Sequence, residues 1–207
     1  MTQPPRTLLS MAGAALKPPP LSDATLLLID MQGEYLDGLL PLPDAARAVA
    51  EAARLLTAAR RAGAGVVHVL HRGKAGGAFD PAGPGFDPAV LLTPLEGEAV
   101  VEKALPNAYA GTDLDARLEE LGNRPLIVCG FMTHMCVSST VRAALDRGAL
   151  PTVIASTTAT RALPDPMGGV VEAAQLHRAA LAALADRFAL IVPDVDALLP
   201  PESIKTA

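Results

Sequence analysis

Pro125-Leu126-Ile127-Val128-Cys129-Gly130-Phe131-Met132-Thr133-His134-Met135-Cys136 is the stretch on which the fold turns. Pro125 to Cys129 is a short, continuously apolar run, the pattern of a strand buried on both faces. His134 to Arg147 continues with helical spacing and stops at Gly148. A doubly buried strand that leads into a helix is the building unit of a parallel sheet covered by helices.

The same alternation recurs on either side. Ala24 to Ile29 is a continuous apolar run ending at Asp30. From Ala45 to Ala59, small or apolar residues fall at 45, 48, 49, 52, 55, 56 and 59, one face of a helix, which Gly63 and Gly65 end. Val66 to Leu70 reads as a second strand and Val100-Val101 as a third. Thr112, with Asp115 three residues on, reads as a capping-box variant opening a helix to Leu121. Thr152 to Ala155 is a fifth strand, Gly169 to Asp186 the last long helix and Leu190 to Val192 a sixth strand. The expected architecture is therefore a three-layer, doubly wound α/β fold, a mostly parallel six-stranded sheet with helices on both faces. Residues 1–207 read as a single domain, with residues 1–22 as an N-terminal extension.

Composition narrows the function. Half of the 207 residues are apolar, yet only 3% are aromatic and Trp is absent, so the core must be built from Ala, Leu and Val. A net charge of −5 disfavours a nucleic-acid or anionic-membrane partner. No stretch approaches the roughly 20 apolar residues that span a bilayer. The run Thr7 to Leu16 has some likeness to a leader, but Lys17 and Pro18-Pro19-Pro20 interrupt it just before the first strand. Two cysteines make no disulfide framework, so a reducing, cytoplasmic setting is expected.

Ligands of such sheets bind beyond the carboxyl ends of the strands. Asp30, His71, Lys103, Thr133, His134 and Cys136 all fall at those ends. Cys136 opens a helix whose terminal N–H groups would favour its thiolate, and Lys103 would add to that stabilisation. Asp30 could take the thiol proton and return it to a leaving amine, while N–H groups at the bend hold an oxyanion. A buried structural cysteine is the alternative that these residues leave open.

Three segments resemble the isochorismatase-like cysteine hydrolases, which include nicotinamidases and N-carbamoylsarcosine amidases. They are Leu28-Ile29-Asp30-Met31-Gln32, the lysine segment from Lys103 to Leu114, and the nucleophile segment from Gly130 to Thr140, in an order that covers residues 24 to 192. The resemblance implies a triad of Asp30, Lys103 and Cys136, a cis peptide between Phe131 and Met132, and an oxyanion hole from the N–H groups of Met132 and Cys136. It implies a hydrolase of a small amide, ureide or carbamoyl-type C–N bond acting through a thioester, and a homo-oligomer. An isochorismatase-type or ester hydrolase on the same fold is one alternative, and a non-catalytic small-molecule binding protein is another.

The chain departs from the family's metal-dependent members. Those carry Asp-x-His and a further His after the second strand, whereas this chain has His68-Val69-Leu70-His71-Arg72-Gly73. On a strand, residues three apart point to opposite faces, so no metal and no cofactor are expected, and nicotinamidase activity is not indicated. The resemblance also sets Cys136 against vinyl-ether cleavage, since family members with that activity work without a nucleophilic cysteine at that place. Gln32, Tyr35, Tyr109, Thr133 and His134 are the expected substrate-binding residues. For the first three, ordinary loop anchoring is the competing reading. His68 is expected to be a core histidine, His71 a candidate pocket residue, and His177 a packing or interface residue. The Gly/Pro-rich segment from Arg72 to Pro88 is expected to lie near the site entrance.

Overall fold

The computed structural model describes residues 4–13 and 16–199. Parts of the expected N-terminal extension, at 1–3 and 14–15, lie outside the described residues, as do 200–207. Helix α1 (Leu8–Met11) belongs to that extension; its Leu9 is buried and the Leu8 N–H donates to Asp186 Oδ1 at 2.8 Å.

Eight strands follow among the described residues: β1 (Thr25–Ile29), β2 (Gly65–His71), β3 (Ala99–Lys103), β4 (Leu126–Phe131), β5 (Thr152–Ala159), β6 (Leu163–Pro164), β7 (Val170–Val171) and β8 (Leu190–Val192). The helices among them are α2 (Ala45–Ala62), α3 (Leu114–Glu120), α4 (Ser138–Asp146) and α5 (Ala173–Arg187). Six strands form one sheet in the order β3-β2-β1-β4-β5-β8, and every pairing in it is parallel. The α/β architecture read from the apolar runs is the one observed.

Alternation along β1 shows how the layers are filled. Leu26 and Leu28 pack on one side with Ala48, Ala52, Leu55 and Leu56 of α2. Leu27 and Ile29 pack on the other with Leu114 and Leu118 of α3, Val141 and Ala144 of α4, and Leu184 of α5. All seven helix positions picked out by period in α2 are buried. Gly63 ends α2 in the left-handed conformation, φ 72°, which costs glycine little.

Three boundaries differ from the sequence reading. The last helix begins at Ala173 rather than Gly169, because Gly168 and Gly169 have φ of 108° and 92° and Val170–Val171 pair with Leu163–Pro164 as a small hairpin. Thr112 does not cap α3 through a box. Its hydroxyl donates to Ala108 O and accepts the Leu114 N–H at 3.3 Å, closing the turn before the helix. Cys136 lies within a π-helical turn, Thr133–Val137, that precedes α4.

Gly130 is the tightest backbone contact in the sheet. Its φ is 130°, and a Cβ there would stand 2.0 Å from Ile29 O. The approach brings the end of β4 against the end of β1, and so the nucleophile turn against Asp30. Substitution Gly130→Ala is therefore expected to cost at least about 3 kcal/mol, combining overpacking with a disfavoured φ. Urea denaturation of purified variant and parent would measure it; an unchanged midpoint would contradict the account.

Candidate active site

Four adjacent strand ends deliver the site. Asp30 follows β1 with φ 51°, an uncommon conformation for a residue other than glycine. Its N–H donates to Val69 O at 2.8 Å, tying it to β2. Lys103 ends β3, His71 ends β2, and Cys136 lies just beyond β4. All three members of the expected triad are removed from solvent: Asp30 is 0% exposed, Lys103 2% and Cys136 3%.

The Lys103 ammonium is the hub. Its Nζ lies 2.7 Å from Asp30 Oδ2, 3.1 Å from His71 Nδ1 and 3.4 Å from Cys136 Sγ. The Asp30 contact is an ion pair set off the hydrogen-bonding direction, and among the described residues Oδ1 makes no well-aligned hydrogen bond. Burial raises the Asp30 carboxyl above its ordinary range against the opposing pull of Lys103. Burial, with Asp30 adding to it, pushes the Cys136 thiol up to about 12 despite Lys103. The resting group is thus a neutral thiol beside an Asp–Lys pair, which corrects the expectation that helix-terminal N–H groups would hold a thiolate. One turn of partial charge is too weak to offset desolvation and a facing carboxylate.

The peptide between Phe131 and Met132 is cis. Met132 O accepts the N–H groups of Met135 and Val137 at 3.0 and 3.3 Å, which shapes the π turn. Among the described residues the Met132 N–H has no acceptor, leaving it available to an incoming oxygen.

Of the expected substrate contacts, Tyr35 lies at the site. Its ring stands edge-on to Phe79 and Phe131, at 5.0 and 5.5 Å between centroids, and its phenol is raised by burial and then by Asp30 and Cys136. Gln32 does something else. Its Nε2 donates to His71 O at 3.0 Å and Phe86 O at 2.6 Å, while Oε1 accepts the His71 N–H at 2.8 Å. With its amide fully engaged and 0% exposed, it clamps the 72–88 segment rather than a substrate. Tyr109 also departs from expectation. It lies under the Arg147 guanidinium, 4.1 Å from the ring centroid, beside Pro125 and Leu126 at the opposite edge of the sheet.

Thr133 is buried, donating to Ala159 O and pairing with His177 Nδ1, both at 3.0 Å. His177 thus ties α5 to the nucleophile turn, a role that its small apolar neighbours in sequence concealed. His134 Nδ1 meets the Thr160 hydroxyl, and among the described residues its buried Nε2 has no hydrogen-bond partner. Arg161, just beyond β5, has a buried Nε without an acceptor and no ion pair among the described residues. Phe79 and Arg161 were not picked out from sequence, since a Phe in a Gly/Pro-rich loop carries no periodic signal. His68 is a satisfied core residue, its Nε2 3.0 Å from Glu98 Oε2. Among the described residues, no three His, Cys, Asp or Glu side chains form a group able to hold a metal ion. Nor is any helix among them long and apolar enough to cross a membrane.

A parallel α/β sheet with an acid, a lysine and a cysteine converging at its carboxyl edge defines a class of cysteine-containing hydrolase sites. The chain belongs to the isochorismatase family of hydrolases, whose domain model matches residues 24–193. An isochorismatase crystal structure from Pseudomonas putida is 47% identical with a TM-score of 0.87, covering 91% of this chain and 97% of that one. Streptothricin hydrolase of Streptomyces noursei is 37% identical over 169 residues, 80% of this chain and 61% of that protein. A ureidoacrylate amidohydrolase of Variovorax paradoxus is 30% identical over 167 residues, 61% of this chain and 66% of that protein.

The Gln32 clamp has a measurable consequence. Substitution Gln32→Ala removes three hydrogen bonds and is expected to destabilise by about 1–3 kcal/mol. Limited proteolysis should then cut faster within residues 72–88; an unchanged cleavage rate would contradict the clamp.

Proposed function

We propose that the protein hydrolyses a small amide, ureide or carbamoyl-type C–N bond, with Cys136 as nucleophile. The observation that carries this reading is the Lys103 ammonium set between Asp30 and Cys136 Sγ, at 2.7 and 3.4 Å, with Asp30 Oδ1 making no well-aligned hydrogen bond among the described residues. The cycle starts from the neutral thiol. As Sγ attacks the carbonyl carbon, its proton passes to Asp30, whose raised affinity for a proton suits it to this task. Lys103 stabilises the sulfur as negative charge gathers on it. The carbonyl oxygen, now an oxyanion, is met by the N–H groups of Met132 and Cys136.

Collapse of this intermediate breaks the C–N bond, and Asp30 gives its proton to the departing nitrogen. Asp30 then takes a proton from water as the oxygen attacks the thioester. Cys136 leaves as the sulfur group and recovers that proton, releasing the acid. A leaving nitrogen needs such a proton donor far more than a leaving alkoxide of low basicity does, which favours C–N cleavage over ester cleavage. The amidohydrolase named above, though only 30% identical, is in keeping with this choice.

Each of Cys136→Ala, Asp30→Asn and Lys103→Met is expected to lower hydrolysis across a panel of amides and ureides by ~10³-fold or more. Circular dichroism would check folding, and intact-mass analysis should show an acyl adduct on Cys136. Wild-type rates in Cys136→Ala would overturn the mechanism.

Arg161 bears on substrate choice. Its charge reaches Tyr35 and His134, and its guanidinium has no carboxylate partner among the described residues. A substrate carrying a carboxylate or similar anion would supply one. Arg161→Ala should then raise KM about tenfold for anionic substrates, the worth of one charge-assisted hydrogen bond, and leave neutral ones unchanged. Equal effects on both classes would remove Arg161 from substrate recognition.

A further inference from the structure

The strand order poses a geometric difficulty for Lys103. Its target Asp30 lies on β1, while Lys103 itself ends β3, and β2 runs between them. Neighbouring strands stand about 4.8 Å apart, so the lysine side chain must cross the end of β2 to reach β1. The residue at that end is His71, which is in register with Lys103. Paired residues of neighbouring strands present their side chains on the same face, so the imidazole lies along the path of the lysine. His68, three residues earlier, faces the other way and meets Glu98.

We propose that His71 is a positioning residue for Lys103, its imidazole accepting one ammonium N–H at Nδ1 and so aiming the other two at Asp30 and Cys136. The role rests on the catalytic reading of the triad given above. An ammonium has three N–H donors, and Lys103 sets them among three neighbours, in hydrogen-bonding contact with His71 and Cys136 and in an ion pair with Asp30. Remove the imidazole, and one donor of a buried cation is left without an acceptor, free to draw Nζ away from sulfur. The histidine itself is held firmly. Its N–H and C=O are both engaged by the Gln32 side chain, and its ring stands edge-on to Phe79 at 5.0 Å between centroids.

Protonation is consistent with this geometry. Burial, and then the Lys103 charge, lower the His71 pKa to about 4, so the ring is neutral at ordinary pH. With Nδ1 accepting, the ring proton resides on Nε2. The clamp of Gln32 on His71 thereby extends from the 72–88 segment to the reacting sulfur through a single chain of contacts.

The test uses His71→Asn, His71→Gln and His71→Phe in the full chain. An Asn amide oxygen can occupy the place of Nδ1, whereas a Gln amide reaches the place of Nε2, and Phe offers neither. Iodoacetamide alkylation of Cys136 is followed by site-resolved mass spectrometry from neutral to alkaline pH, with Cys129 counted separately. His71→Asn should retain the parent rate and pH midpoint. His71→Gln and His71→Phe should alkylate ~10-fold more slowly at neutral pH, the worth of one hydrogen bond to a buried charge, with the midpoint moved upward. Thermal midpoints measured alongside separate this from general destabilisation, since Asn and Gln would then differ in reactivity without differing in stability. Three variants that all behave like the parent, or an Asn variant as slow as Phe, would overturn the role of His71 alone. A Cys136→Ala chain that hydrolyses the amide and ureide panel at the parent rate would instead overturn the reading of the triad, and the positioning role with it.

Discussion

A buried ammonium needs acceptors on every side, and the centre of this protein is organised around supplying them to Lys103. Removing one partner from a buried ion pair typically costs about 3–5 kcal/mol, because the remaining charge stays in a medium that solvates it poorly. Lys103 meets the requirement with one carboxylate, one imidazole and one thiol. These come from β1, β2 and the turn after β4, so the parallel order β3-β2-β1-β4 is what lets a single lysine touch all three. An antiparallel neighbour would present the wrong end of its strand. The close approach of Gly130 to Ile29 completes the arrangement by letting the nucleophile turn sit against Asp30.

The surroundings hold this cluster dry and in place. The 31–35 stretch is stitched to residues 85–89 by main-chain bonds, Gly33 N–H to Asp87 O, Glu34 N–H to Gly85 O and Ala89 N–H to Met31 O, each 2.8 or 2.9 Å. Gln32 adds a side-chain link between that seam and β2. Tyr35, Phe79 and Phe131 form an edge-to-face set above it, so two of the four Phe and one of the two Tyr in an aromatic-poor chain gather here. Dryness raises the proton affinity of both Asp30 and Cys136. That favours a proton that moves between them during attack over a thiolate that waits for substrate.

Legibility from sequence followed the range of the forces involved. Continuous apolar runs found the strands and period found α2, because burial on one or both faces is recorded locally in residue order. Asp30, Lys103 and Cys136 stood out as chemistry-bearing groups at strand ends, and the structure brings them together. Roles that depend on partners far along the chain leave no local mark in residue order. Gln32 looked like a pocket wall until its amide met the backbone of His71 and Phe86, 39 and 54 residues away. Tyr109 lies within the lysine segment, yet the chain turns there and carries the ring to the opposite sheet edge under Arg147. His177 lay hidden on an Ala-rich helix until α5 docked it on Thr133.

Sequence by itself determined the fold class, the edge of the sheet where chemistry belongs, and which residue types stand there, since each is encoded in local pattern and order. Tertiary structure alone decided the protonation of Cys136 and the partners of Lys103. A thiol's charge depends on what surrounds it once water is excluded, and that enclosure exists only when four strand ends and the 72–88 segment have come together.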